Sequence, residues 1–271
     1  MNTVRQPAVA DAFYHGQKQI LANDVKTLLD DARSNIDGDE LSAKAIIAPH
    51  AGYIYSGATA ASVYARLTAK RDIIKRVVLL GPVHRVAVRG LALPGVTAFA
   101  TPLGEIPIDL DAVAAIEDMP QVIESTAAHA PEHSLEVQLP FLQAVLGDFK
   151  LLPLAVGNAT PAEVAEVLEA LWGGPETLIV ISSDLSHFHP YQAAQMIDSQ
   201  TAQDILSLRH TLSHEQACGG TPVNGLLLAA KQHQLQPHLI DMRNSGDTAG
   251  DKDRVVGYAS FLFTEGTADA S

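Results

Sequence analysis

The sequence is poor in cysteine and has no long hydrophobic run. Cys218 is the one cysteine among 271 residues, so no disulfide can form within the chain, as expected in a reducing compartment. No apolar run approaches the roughly 18 residues that a membrane-spanning helix needs, and the opening residues lack the apolar core of a signal peptide. The sequence therefore predicts a cytoplasmic protein.

Basic charge is also scarce. The chain has 18 lysines and arginines against 31 aspartates and glutamates, a formal net charge of −13. No basic cluster offsets this balance, so neither nucleic acid nor an anionic membrane surface is an expected partner. The hydrophobic content of 47% and the charged content of 18% exclude a disordered chain and a coiled coil. One α/β domain is ordinary at this length, and no repeat or linker divides the chain.

Three apolar segments are each followed closely by a histidine. They read KAIIAPHAGY at 44–53, RVVLLGPVH at 76–84 and LIVISSDLSH at 178–187. Short apolar runs that end at proline or small polar residues are typical of strands buried on both faces. Four polar side chains follow these runs: His50, His84, Asp184 and His187.

Ligands bind an open parallel sheet in the crevice beyond the carboxyl ends of its strands. One histidine at a strand exit is most often an ordinary hydrogen-bonded residue. Three such exits in one sheet favour a shared metal or catalytic site. Neutral histidine is a common ligand of iron, copper and zinc, and the thiolate of Cys218 favours softer or redox-active ions. Further candidate ligands are Asp184, His187, Glu132 and His133.

Each further candidate has an ordinary alternative. Asp184 either caps a helix, ligates a metal or orients an imidazole such as that of His187, three residues on. His187 is expected as an acid, a base or a substrate ligand. Glu132 suits a helix N-terminus in any case, and His133 and Tyr53 either line the pocket or pack in the core. Cys218 is a small buried residue, a metal ligand, or a nucleophile with a histidine as its base.

Serine residues mark two predicted helix starts. Ser56 is expected to cap a helix that continues to Ala65, and Ser134 to cap a helix over residues 135–146, with Pro140 as a kink or early break.

Taken together, the motifs IIAPHAGYIYSG, LGPVH, EHSLEVQLPFL, ISSDLSH and CGGTP resemble those of the Memo family, called component B of the AmmeMemoRadiSam system in prokaryotes. The resemblance runs from about Pro7 to Phe263, with the five motifs in the family's order. It implies a fold related to class III extradiol dioxygenases, the non-haem iron enzymes that open catechol rings. We therefore expect one α/β domain over residues 1–271, with a central, mostly parallel or mixed sheet flanked by helices. Residues 1–16 are expected as an extended arm and 264–271 as a disordered tail.

The resemblance also implies roles for individual residues. The expected metal ligands are His50, His84 and Cys218; the expected catalytic residues are Asp184 and His187, with Asp184 steadying His187; the expected substrate-binding residues are Glu132, His133 and Tyr53. The cofactor would be a divalent metal, iron(II) first, with copper or zinc as alternatives.

The related dioxygenases bind iron through two histidines and a carboxylate, whereas this family has a cysteine in the carboxylate's place. Iron- or copper-dependent redox or oxygenase-type chemistry on an unknown substrate is therefore expected in place of standard catechol cleavage. Some relatives carry a basic residue and a histidine at the positions of Gly220 and Thr221, so substrate recognition does not transfer there. The alternative is a non-catalytic protein whose pocket binds a peptide, small molecule or metal, with a radical enzyme and a small companion protein as partners.

Overall fold

The computed structural model describes residues 3–34, 36 and 42–266. The strands of this part are β1 (Val4–Arg5), β2 (Ala43–Ala48), β3 (Arg76–Pro82), β4 (Leu91–Leu93), β5 (Ala98–Thr101), β6 (Gly104–Pro107), β7 (Val122–Glu124), β8 (Lys150–Val156), β9 (Thr177–Ser182), β10 (His187–His189), β11 (Gln236–Asn244) and β12 (Val255–Thr264). Its α-helices are α1 (Lys18–Arg33), α2 (Tyr53–Tyr64), α3 (Leu110–Ala114), α4 (Thr126–His129), α5 (Leu139–Val145), α6 (Pro161–Ala170), α7 (Tyr191–Leu206) and α8 (Gly220–Gln232). Residues 267–271 of the predicted tail lie outside this part.

Nine strands form one mixed sheet. Its order is β10-β12-β2-β9-β3-β8-β4-β7, and β11 pairs with β12. The four central strands β2, β9, β3 and β8 are parallel, whereas β12 and β4 run antiparallel to their neighbours β2 and β8. A small second sheet joins β1 of the amino-terminal arm to β5 and β6. The predicted fold class, a single α/β domain with a large mixed sheet flanked by helices, is confirmed.

The alternation of side chains along the central strands gives the sheet two apolar faces. In β2, Ile46 packs into one buried cluster and Ile47 into the other. One cluster holds residues of the arm, α1, α2 and α5, and the other holds residues of α6, α7 and α8. None of the helices in the described ranges combines the length and the hydrophobicity needed to cross a membrane.

Ser56 does not cap a helix. Helix α2 begins three residues earlier, at Tyr53, because the backbone already turns at Gly52. Ser56 therefore lies inside the first turn, where its hydroxyl donates to the carbonyl of Ala51 at 2.9 Å.

Ser134 does not cap a helix either. Its hydroxyl donates to the carbonyl of Pro82 at the end of β3, at 2.8 Å. A 3-10 turn at Glu136–Gln138 follows, and α5 then begins with Pro140 in its first turn. The proline therefore breaks the predicted helix early because its ring is tolerated only at a helix start.

A buried carboxylate attaches the amino-terminal arm to the core. Arg5 and Glu136 form an ion pair, and their side chains are 4% and 0% exposed. Glu136 also accepts the backbone N–H groups of Ala8 and Val9 and the hydroxyl of Tyr14. Four donors on the arm thus converge on one buried charge, which compensates for its removal from water.

Arg5 connects this arm to the segment that follows α4. Its guanidinium donates to the carbonyl of His129 at 3.1 Å and to that of Glu132 at 2.6 Å. The backbone at Glu132, which lies beside two histidines described below, is thereby fixed by the first residues of the chain.

Replacement of Glu136 by alanine should lower the free energy of unfolding by about 3–5 kcal/mol, because Arg5 would be left buried without its counter-charge. Urea denaturation monitored by circular dichroism measures this change. Arg209→Ala is the control, since that guanidinium pairs with Asp204 but its side chain is 61% exposed; its removal should change stability little. Equal effects of both substitutions would contradict the prediction.

Candidate metal centre

The exits of three parallel strands define the site. His50 lies two residues beyond β2, His84 two residues beyond β3 and Asp184 two residues beyond β9. Because β9 pairs with β2 on one side and β3 on the other, all three exits lie at the same edge of the sheet. The structure thus brings these segments together as the sheet topology requires.

Three imidazoles meet at this edge. The ring centroids are 5.3 Å apart for His50 and His84, 5.4 Å for His50 and His133, and 4.6 Å for His84 and His133. One ring nitrogen from each of the three lies within 4.8 Å of the others, an arrangement compatible with a divalent metal ion. Residue His133, expected from the sequence as a substrate ligand, therefore belongs to the imidazole cluster itself.

Glu132 lies behind two of these rings. Its carboxylate is 2.9 Å from Nδ1 of His84 and 3.3 Å from Nδ1 of His133. It also accepts the backbone N–H groups of His84, His133 and Ser134. Burial alone would raise the pKa of Glu132, but the hydrogen bonds from His133, His84 and the backbone outweigh burial and hold the pKa well below its usual range.

The ionised carboxylate decides where the ring protons lie. A carboxylate only accepts hydrogen bonds, so His84 and His133 carry their protons on Nδ1 and keep the Nε2 lone pair. A carboxylate that holds a histidine in this way fixes both the tautomer and the ring orientation of a metal ligand. Glu132 therefore has an orienting position; it is 1% exposed and is not among the residues that line the cavity described below.

His50 has the same tautomer for a different reason. Its Nδ1 lies 2.9 Å from the hydroxyl of Ser182, and that hydroxyl donates its proton to the carbonyl of Ser134 at 2.6 Å. The Ser182 oxygen must therefore accept from His50 Nδ1–H, which leaves Nε2 unprotonated. Burial lowers the pKa of His50 to about 4, so the ring is neutral at pH 7 and able to bind a cation.

Cys218 lies beside His50. Its Sγ is 3.4 Å from Nε2 of His50 and 3.7 Å from the carbonyl of Asp184. The close approach depends on Gly219, because a Cβ at that position would lie 2.6 Å from Cβ of Ser183. Burial raises the pKa of the Cys218 thiol to about 12, so at neutral pH the sulfur is protonated and a poor nucleophile.

Asp184 and His187 have separate partners. Asp184 accepts the backbone N–H of His50 at 2.7 Å, whereas Nδ1 of His187 donates to the carbonyl of Leu185 at 2.8 Å. The chain continues into β10 after Asp184, so the helix-capping interpretation is wrong. The orienting contact of His187 comes from Leu185, and Asp184 instead supports the loop of His50.

A cavity of about 620 Å³ opens in front of the cluster. Five of the predicted site residues line it: His50, His84, His133, Asp184 and His187. Cys218 and Tyr53 are not among the lining residues; the Tyr53 hydroxyl donates to the carbonyl of Val137 and its ring packs against Phe141.

Sequence reasoning missed several residues of the cavity wall. Phe13, Arg85, Phe188 and Arg254 line it alongside the histidines. Phe13 lies within the stretch from Pro7 to Phe263 over which the sequence resembles the Memo family, and that resemblance was the available signal. Arg85 and Phe188 each follow a predicted site residue in sequence, and Arg254 contacts Phe188 in space. None of these three belongs to a recognisable motif.

The fold and the histidine cluster together define an α/β protein with a candidate metal centre at the carboxyl edge of a mixed sheet. The family model described as "Memo-like protein" matches residues 5–262, and the chain belongs to this family. A MEMO1 family protein of Aquifex aeolicus is 36% identical over 277 residues, covering 96% of this chain and 99% of that protein. A MEMO1 family protein of Methanosarcina mazei is 35% identical, with 96% and 98% coverage. The expected family is thus confirmed.

One solved structure shares the fold at low sequence identity. An uncharacterized protein from Escherichia coli K12 superposes with a TM-score of 0.51 and 14% identity, and the match covers 80% of this chain and 98% of that one. This similarity supports the mixed α/β architecture alone.

Cys218 should react slowly with iodoacetamide in the folded, metal-free protein. A thiol pKa near 12 leaves far less thiolate at pH 8 than an ordinary cysteine has, so alkylation should be at least about 100-fold slower than in the urea-unfolded chain. Mass spectrometry of the intact protein over time measures both rates. Labelling of the folded protein at the rate of the unfolded chain would contradict this prediction and favour a nucleophilic cysteine.

The metal-free protein should lose stability as the pH falls from 6.5 towards 4. Burial lowers the pKa of His50 to about 4, and that of His129 likewise. Both pKa values lie below the ordinary histidine pKa of about 6.5 in the unfolded chain, so protonation favours unfolding. The free energy of unfolding is therefore highest above pH 6.5, and protonation of each histidine should lower it by about 3 kcal/mol at pH 4. Urea denaturation across this range should show a smaller loss in His50→Gln and an unchanged loss in the surface variant His15→Gln. A flat profile would refute the assignment.

Proposed function

We propose that this protein binds a divalent metal ion at the imidazole cluster and performs redox or oxygenase-type chemistry on a small molecule in the adjoining cavity. The observation that carries this proposal is the set of three ring nitrogens within 4.8 Å, contributed by His50, His84 and His133. In His50 and His84 the ring proton lies on Nδ1, where it is hydrogen-bonded, so Nε2 keeps its lone pair. A metal ion binds histidine through such an unprotonated nitrogen.

The proposed ligands are His50 and His84, completed by Cys218 and His133. Cys218 has its sulfur 3.4 Å from Nε2 of His50, and a cation at the cluster would favour loss of the thiol proton. Nitrogen and thiolate ligands suit iron(II), copper and zinc, and we propose iron(II) first. A bound iron or copper ion would supply the electron-transfer chemistry that side chains lack.

His187 is the proposed proton carrier. Because its Nδ1–H donates to the carbonyl of Leu185, Nε2 is left to accept a proton from a molecule in the cavity that it lines. Asp184 would act indirectly by holding the backbone of His50.

Metal analysis of anaerobically purified protein tests the centre. Wild-type protein reconstituted with iron(II) should retain about one ion per chain after desalting, and His50→Ala and His84→Ala should each lose most of it. His187→Ala should keep its metal, and so should His233→Ala, a change remote from the cluster, where that ring contacts Glu169. Full metal content in the His50 and His84 variants would overturn the proposal.

Cobalt(II) substitution separates the two additional ligands. A thiolate ligand gives an intense near-ultraviolet charge-transfer band, which should be present in wild-type protein and absent in Cys218→Ser. His133→Ala should keep the band but bind cobalt more weakly. A band that survives in Cys218→Ser would remove the cysteine from the ligand set.

A further inference from the structure

Two arginines lie on the cavity wall. Arg85 and Arg254 line the cavity together with His84 and His187. Within the described ranges, neither guanidinium makes a hydrogen bond or an ion pair, although five N–H groups of each are available. Both guanidiniums therefore line the cavity without a protein acceptor in the described part of the chain.

The cavity's own carboxylates are already engaged elsewhere. Asp184 accepts the backbone N–H of His50. Asp251 accepts the backbone N–H groups of Asp253 and Arg254, at 2.9 and 3.3 Å. Within the described ranges the two guanidiniums form no direct ion pairs with these acids. Their N–H groups therefore remain available to a bound molecule.

Phe188 holds one of the guanidiniums in place. Cζ of Arg254 lies over the Phe188 ring, 5.0 Å from its centroid, a cation–π contact that leaves the N–H groups of arginine available for hydrogen bonds. Phe188 has a φ of 62° and its side chain is 61% exposed. A left-handed backbone is unfavourable for an aromatic residue, and such strain is concentrated at functional sites.

We propose that the cavity recognises a small organic carboxylate, whose negative charge is bound by Arg85 and Arg254. Phe188 positions the guanidinium of Arg254, and the aromatic rings of Phe13 and Tyr55 on the same wall receive the apolar part of the molecule. The inference names the substrate class of the proposed metal centre and so rests on that proposed function.

Aromatic rings beside the guanidiniums favour an organic carboxylate over inorganic phosphate. Arg85 and Arg254 share the wall with two acids, Asp184 and Asp251, and with the rings of Phe13 and Tyr55. Attraction and repulsion both scale with the charge of the bound anion, so the preference for an organic anion rests on these rings, and inorganic phosphate is the competitor that tests it. Both arginines are exposed, so solvent screening limits the expected gain to roughly tenfold in affinity for each.

Fluorine NMR titration with 4-fluorobenzoate tests this proposal, with neutral 4-fluorobenzamide as the isosteric comparison. The metal-free full chain is used first, so that a carboxylate cannot bind through an ion. We expect 4-fluorobenzoate to bind at least tenfold more tightly than the amide, and Arg85→Gln and Arg254→Gln each to lose roughly tenfold in benzoate affinity. Amide binding should be unchanged in both variants.

Arg89→Gln is the matched control. Arg89 is exposed, and among the described residues its guanidinium likewise makes no hydrogen bond or ion pair, but it does not line the cavity. Its loss should therefore leave benzoate affinity unchanged. Equal affinities for the two probes, no binding of either, equal losses in all three variants, or stronger competition by inorganic phosphate than by benzoate would overturn the proposal.

Iron content of the same variants separates this inference from the proposed function. Arg85→Gln and Arg254→Gln should keep the wild-type iron content. Loss of carboxylate preference with iron retained would refute the substrate class alone. Carboxylate preference in a protein that binds no metal would refute the metal centre alone.

Discussion

The site depends on one buried carboxylate. Glu132 accepts three backbone N–H groups and faces Nδ1 of both His84 and His133. These donors compensate for the burial of its charge, and the charge in turn fixes both rings in one tautomer. Two histidines contributed by different loops are thereby held beside each other with their Nε2 lone pairs unprotonated.

The remaining contacts extend this constraint to the whole edge of the sheet. Ser182 joins His50 to the Ser134 carbonyl, and Gln138 donates to the same hydroxyl at 2.8 Å and to the carbonyl of Pro49 at 2.9 Å. Arg5 donates to the carbonyl of Glu132. The loops after β2, β3 and β9 therefore form one hydrogen-bonded unit that holds the three rings in place.

Much of this architecture can be predicted from the sequence. The buried parallel strands have continuous apolar runs, and the rule that ligands bind beyond strand ends brings His50, His84 and Asp184 together without coordinates. The capping assignments for Ser56 and Ser134 were wrong because each hydroxyl has a tertiary or earlier backbone acceptor. Local propensity cannot reveal such an acceptor.

The cavity wall and the ring tautomers lie beyond sequence reasoning for another reason. The carboxylate of Glu132 faces Nδ1 of both His133 and His84, and Arg254 contacts Phe188, 66 residues earlier in the chain. These arrangements join side chains from separate segments of the chain. No period or spacing along the chain encodes them, whereas strand exits follow directly from the chain's apolar pattern.

The protonation states within the site also imply an order of events for the proposed metal centre. The imidazoles of His50 and His84 already present unprotonated nitrogens, but burial keeps Cys218 as a thiol with a pKa near 12. A cation would therefore meet the histidines as ready ligands and gain the sulfur only as its own charge displaces the thiol proton. In the proposed centre the histidines would supply the initial affinity, and the cysteine would distinguish metal ions that favour thiolate from those that do not.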